Sequence, residues 1–348
     1  MSGDFSIIEG EYLRDILDQP RALDSTFSKL EMSKELRQLA SRLQKGYFKA
    51  IVLTGMGSSF HALHPLHLEL IQAGFQSVML ESSELIHYQA RLFDRKNLIV
   101  AVSQSGQSAE VVRLLKSNRG RSAIVAVTNT PGSPLARNAA ASVITDAGRE
   151  FSVSCKTYLT SLLALRWLAE VLGGRDLGGI RRDLRSASAY AREYLATWKT
   201  HVKHLGDRLR DIRKLFLVGR GPSLAAVGTG ALIVKEADHF PAEGMSSAAF
   251  RHGPFEMVGS DAFVAVFAGD SRTRELNRGL FQDIREGQGE SEWIGEDSDY
   301  EPFVLSAPRS VAPVLEILPV QMITLALAAL TGREAGRFTL CSKVTTKE

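Results

Sequence analysis

LIVAVSQSGQSAEVVRLL, residues 98–115, makes three structural statements in one run. Five consecutive apolar residues, 98–102, are what a strand buried on both faces of a parallel sheet requires. Ser103 to Ser108 is small and polar, with Gly106 in its middle. From Ala109 onward Val111, Leu114 and Leu115 return at the spacing of one helix face. Strand, polar loop and helix in that order are the first part of a βαβ unit.

Further apolar runs at residues 50–53, 78–80, 123–127 and 142–144 alternate with helical patterns and predict a parallel α/β sheet. Ahead of the sheet, residues 12–30 predict two short helices broken at Gln19–Pro20. Residues 33–45 predict a third, stopped by Gly46. After it, helices are expected over about 158–173 and 186–209. The pattern then restarts: LTGMGSSFHAL (53–63) and LVGRGPSLAAV (217–227) share L-x-G-x-G-x-S-x-x-A. A single repeat this far apart means two copies of a domain rather than a solenoid. The expected architecture is two tandem doubly wound parallel sheets flanked by helices, with domains over 1–198 and 199–348. The counterpart of the serine loop in the second copy is FAGDSR (267–272), where the serine cluster is absent.

Composition narrows the function classes. Hydrophobic residues are 44% and charged residues 23% of 348, enough for a sizeable core. Forty-two Lys and Arg against 39 Asp and Glu argue against nucleic acid or an anionic membrane as a partner. Two cysteines without CxxC spacing fit a reducing cytoplasm and no disulfide framework. The start, MSGDFSIIEGEYLRDIL, carries acids where a signal peptide needs a basic segment. The apolar stretch 313–330 is interrupted by Glu316, Pro319 and Gln321, so a buried helix or a subunit interface is expected. A soluble cytoplasmic protein is the resulting expectation.

In an open parallel sheet, ligands bind beyond the carboxyl ends of strands, where helix N-termini offer N–H groups to anions. Ser103, Gln104, Ser105 and Ser108 add side-chain donors there, and Ser58 and Ser59 open a helix after the neighbouring strand. Two such loops would make a socket for a phosphate monoester. The competing reading is ordinary helix capping, worth ~1 kcal/mol per serine. A P-loop is excluded because no lysine follows a glycine cluster suitably. A dinucleotide site has Gly55, Gly57 and Glu81 in its favour, but Phe60 stands where the third glycine belongs. In the second half, Glu236 ends an apolar helix and His252 sits in a Gly-Pro loop. Together they form a usable acid–base pair, and alone each reads as structural. His61, His64 and His67 lack a further ligand, so no metal is expected.

GMGSSFHA, ESSELIHY, AVSQSGQSAEVV, AGREFSVSCKTYLTSL, GRGPSLAAVGTGALIVKEA, RHGP and the terminal SKVTTKE occur in one order. That order resembles the double-SIS (sugar isomerase) phosphosugar family, which includes the isomerase domain of glucosamine-6-phosphate synthase and stand-alone aminosugar-phosphate deaminases. The resemblance implies that Ser58, Ser59, Ser103, Gln104, Ser105 and Ser108 hold a sugar phosphate and that Val153, Ser154 and Cys155 line the sugar. It implies Glu236 as the base moving a proton between C1 and C2, His252 as an aid to ring opening, and Lys343 as the tail lysine that bonds the ketose in the synthase. It also implies a homodimer in which the His-Gly-Pro loop reaches the partner's site, and no cofactor or metal. Ala249 and Ile233 replace a glutamate and a lysine of the synthase pattern, and no glutaminase segment is expected. The expected activity is isomerising deamination of an aminosugar phosphate such as glucosamine 6-phosphate. The alternatives are plain aldose–ketose isomerisation and a non-catalytic sugar-phosphate sensor.

Overall fold

The computed structural model describes residues 5–340 and 342–345. The chain forms two compact units, and each takes more than one segment of sequence. One holds Arg21–Glu150, Lys156–Ser186 and the described tail residues; the other holds the chain up to Pro20, Phe151–Cys155 and Ala187–Leu340.

The first of these units is built on five parallel strands: β1 (Ala50–Gly55), β2 (Ser77–Glu81), β3 (Asn97–Val102), β4 (Ala123–Thr128) and β5 (Ala141–Ile144). Their order in the sheet is β2-β1-β3-β4-β5. Every apolar run singled out above lies in one of them. Central positions such as Val52, Ile99 and Ala126 are fully or almost fully buried, as a strand covered on both faces demands. The chain moves one way from β1 to β2 and the other way from β1 to β3. The crevice between the carboxyl ends of β1 and β3 is therefore the switch point of this sheet.

The second unit repeats the plan with β6 (Lys214–Gly219), β7 (Ala242–Ser246), β8 (Ala262–Phe267) and β9 (Glu290–Ile294), ordered β7-β6-β8-β9 and all parallel. The two copies of the glycine motif thus follow β1 and β6, the equivalent strand of each sheet. The apolar stretch Ala312–Thr331 is long and apolar enough to span a membrane, the one such stretch among the described residues. Most of it is buried, and within it the helix Leu318–Thr331 packs on the helices Trp198–Arg208 and Leu224–Asp238.

Helix boundaries differ from expectation in two places. The early break falls at Asp18, between helices Glu11–Leu17 and Gln19–Lys29. Pro20 is then the second residue of its helix, where its missing N–H costs nothing. The long helix expected over 186–209 is two, Leu177–Ala196 and Trp198–Arg208, parted at Thr197. Thr197 leaves helical geometry with φ −106° and ψ 17°. The first of the pair starts nine residues earlier than expected and runs through Gly178 and Gly179, so tertiary packing overrides their poor helix propensity.

Candidate functional site

The loop after β3 is wound tightly by its own serines. Ser103 Oγ accepts the Gly106 N–H at 3.1 Å, Ser105 Oγ accepts the Gln107 N–H at 3.3 Å, and Ser108 caps the helix Ala109–Asn118 by accepting the Val111 N–H at 3.4 Å. The Gln104 carbonyl accepts from the Asn129 N–H at 3.1 Å and the Thr128 hydroxyl at 3.2 Å, pinning the loop to the end of β4. A serine hydroxyl has one proton to give and two lone pairs to receive with. Each of these three oxygens receives a backbone N–H, and among the described residues none of their protons is given to the protein.

Gly106 is required where it stands. Its φ is +62°, and a Cβ there would lie 2.2 Å from Ser133 Oγ. Ser133 is itself the cap of the helix Pro134–Asn138, accepting the Ala136 N–H at 3.3 Å. The loops after β3 and β4 therefore interlock. Across the switch point, Ser58 and Ser59 begin the helix Ser58–His61 after β1; Ser58 is buried and Ser59 half-buried.

The tail reaches this same unit. The Ala109 N–H, at the start of the helix that the serine loop opens, donates to the Thr345 carbonyl at 3.1 Å. Two residues earlier, Lys343 Nζ pairs with Glu150 Oε2. Glu150 is wholly buried, and Thr157 also donates to it, through its N–H at 2.9 Å and its hydroxyl at 2.6 Å. Burial pushes the Glu150 carboxyl up, but the Lys343 charge and hydrogen bond, with those from Thr157, outweigh it and hold the group below its usual value. Glu150 is a residue of this cluster that the sequence reading passed over. The motif AGREFSVSCK contains it, but its partner lies 193 residues away and no local pattern joins them.

The other predicted residues lie in the second unit. The Phe151 N–H donates to Asp15 at 2.6 Å, the Ser152 hydroxyl to the Gly336 carbonyl at 2.5 Å, and the Gly336 N–H to the Ala237 carbonyl at 3.2 Å. These bonds bring Val153, Ser154 and Cys155 to the end of the helix Leu224–Asp238, where Glu236 is half-buried. Tyr12 stands among them, its hydroxyl 3.3 Å from that of Thr324. Burial and then Cys155 push the Tyr12 phenol well above its usual range; the Thr324 bond opposes this, and Asp238 and Glu236 add to it. Asp238 is a second carboxyl the sequence reading missed. Both its oxygens are buried without a hydrogen bond among the described residues, and burial raises it far above the carboxylate range, against the pull of Arg333. His252 follows the short helix Ser247–Arg251 and is exposed. The residue after it, Gly253, has φ +133°, which a side chain would resist.

The histidines at 61, 64 and 67 are all half-buried. His61 and His64 stack at 6.4 Å, and burial, followed by the neighbouring His61 and His67, lowers His64 to about 4. Among the described residues no three metal-ligating side chains converge.

Residues 48–171 match the SIS domain family. Among curated proteins, the glutamine–fructose-6-phosphate aminotransferase [isomerizing] of Pyrococcus horikoshii is 28% identical over 338 residues, covering 93% of this chain and 56% of that protein. The chain therefore spans little more than half the length of this relative. Among solved structures, the C-terminal domain of the glucosamine-fructose-6-phosphate aminotransferase from Francisella tularensis matches with a TM-score of 0.82 at 21% identity, over 94% of this chain and 98% of that one. The glucosamine-6-phosphate deaminase from Thermotoga maritima matches with a TM-score of 0.80 at 18% identity, over 97% and 100%. At these identities the two structures speak for the fold: an α/β chain with two parallel sheets, resembling tandem SIS domains.

Proposed function

We propose that this SIS-domain chain is a phosphosugar isomerase that acts on an aminosugar phosphate, releasing ketose phosphate and ammonia. The observation that carries the reading is the state of the serine loop. Ser103, Ser105 and Ser108 are already oriented by the N–H groups they accept, and their three protons remain to be donated at the switch point of the sheet. A phosphate monoester, rich in acceptors and poor in donors, is the ligand such a loop suits. Gln104, Ser58 and Ser59 would complete the socket. The relatives named aminotransferase and deaminase support the substrate class.

Anchored by its phosphate, the open-chain aminosugar would present C1 and C2 to the catalytic groups, so that binding energy becomes alignment. Glu236 would take the proton from C2 and return it to C1, converting the amino aldehyde into a ketose imine. Water would then add at C2 and ammonia would leave, giving the ketose phosphate. Val153, Ser154 and Cys155 would line the sugar, and His252 would assist ring opening from a partner subunit, a role that its exposure permits. Lys343 would need to leave Glu150 and lose a proton before it could bond a carbonyl. In its ion pair it would serve instead to fasten the tail over the site.

The experiment is a panel of sugar and aminosugar 6-phosphates, assayed in parallel for ketose and for ammonia. Equal amounts of fructose 6-phosphate and ammonia from glucosamine 6-phosphate are expected. Ketose from neutral sugar phosphates alone would favour plain isomerisation. Binding without turnover across the panel would overturn the enzymatic reading in favour of a sensor.

A further inference from the structure

The second sheet has a switch point of its own, between β6 and β8, and there a pocket of about 360 Å³ opens to the surface. Its walls come from the loops after β6 and β8, the end of β9 and the segment leading into the helix Ala312–Leu315, all in one unit. The place corresponds to that of the serine socket in the first sheet, but the chemistry is different. Asp270 lies where the serine cluster would be and accepts the Arg272 N–H at 3.0 Å. This loop therefore holds a carboxylate where the first holds free hydroxyl protons.

The floor is a carboxyl–hydroxyl pair. The Ser223 hydroxyl donates to Glu316 Oε1 at 2.7 Å, while Glu316 Oε2 is buried with no hydrogen-bond partner among the described residues. Burial raises this carboxyl to about 7, against the pull of the Ser223 bond. Apolar side chains, among them Ile294, Leu305 and Leu315, complete the walls. At the rim stand two guanidinium groups. Arg274 is tied to Asp297 at 2.9 Å, but Arg309 donates only to the Ser271 hydroxyl, at 2.7 Å, and has no carboxylate among the described residues. A cavity of this size with apolar walls and a few convergent polar groups is the usual form of a small-molecule site.

We propose that this cavity is a second ligand site, for a monosaccharide-sized polyol with one anionic group. The hydroxyls face Glu316 and Ser223, and the anion faces Arg309. The apolar walls pack the carbon-bound faces of the ring or chain. Asp270 keeps the anion away from the loop after β8, so the ligand lies with its charge at the rim. A sugar phosphate and a sugar acid share this chemistry.

Hydrogen exchange of the intact protein, read by peptide, tests the proposal apart from the first site. The probes are glucose 6-phosphate, gluconate, glucose and inorganic phosphate. Glucose 6-phosphate, gluconate or both should protect the segments 268–274 and 305–316, and glucose or phosphate alone should not. The probe that protects identifies the anion. Arg309→Ala, at an exposed position, should remove this protection while leaving any protection of 103–108 unchanged. Glu316→Gln should weaken it at least tenfold in apparent affinity. Absence of protection in both segments with every probe would overturn the proposal. So would protection that survives Arg309→Ala, or that inorganic phosphate alone produces in full. Protection of 103–108 is a separate readout, so failure of the first site and failure of the second are told apart.

Discussion

Lys343 and Glu150 are 193 residues apart in sequence and form an ion pair in which the carboxylate is wholly buried. The pair fastens the chain's tail beside the loop whose serines define the candidate site. With Lys343→Met, Glu150 keeps Thr157 but loses its cation, so about 1–3 kcal/mol of stability should be lost. Chemical denaturation at pH 7 measures it. The double variant Glu150→Gln/Lys343→Met should recover part of the loss, because no buried charge is then left alone.

The same pair sets a pH dependence. Glu150 is held below its unfolded value, so its contribution to stability is fully present above about pH 4.5 and is lost as pH falls through the folded value. Acid titration of wild type and Glu150→Gln should show a steeper decline for wild type below pH 4.5. Parallel curves would contradict the ion pair's role.

Glu316 should act in the opposite sense. Its folded value is raised to about 7, so the native state holds a proton that the unfolded chain has released. Stability should therefore fall as pH rises from about 4.5 to 7. Glu316→Gln should flatten that part of the curve, measured by denaturant midpoints across the range.

Gly106→Ala tests the serine loop's geometry. The new Cβ would meet Ser133 Oγ at 2.2 Å and Ser133 Cβ at 2.6 Å, at a φ of +62°. Sugar-phosphate affinity should drop at least tenfold by calorimetry in a protein that remains folded. Adding Ser133→Ala should not restore it, because the Cβ contact remains. Unchanged affinity would separate the loop from ligand binding.

The proposed sharing of sites between two subunits predicts complementation. Ser105→Asp and His252→Ala are each expected to be inactive, the first by repelling phosphate and the second by removing the assisting histidine. Mixing them under verified subunit exchange should return part of the activity, since one site of the heterodimer then has both groups intact. No recovery would confine the site to one chain.

Much of this architecture was legible in sequence because a buried parallel strand and a helix face leave unmistakable apolar periods. Residues 98–102 and 123–127 identify their strands directly, and Gly106 marks the turn that the close approach of Ser133 enforces. Capping and ligand binding were indistinguishable there, since both need serines at a helix start. In the structure the serine oxygens serve the loop, and among the described residues their protons are not given to the protein. Glu150 and Asp238 were illegible because burial, not spacing, makes them unusual. The break at Thr197 was missed for the related reason that 186–209 contains no proline and only one glycine, Gly206, near its end.

The proposed role of Glu236 is to move a proton between C1 and C2 of a phosphate-anchored aminosugar. It is tested most directly by turnover of glucosamine 6-phosphate in deuterated water, wild type against Glu236→Gln. Wild type should release ammonia and place deuterium at C1 of the ketose phosphate. The variant, nearly equal in volume, should bind the substrate with unchanged affinity while its turnover and deuterium incorporation fall by ~10²–10⁴-fold. Wild-type rates in the variant, or ketose formed by wild type through a base elsewhere, would contradict the account.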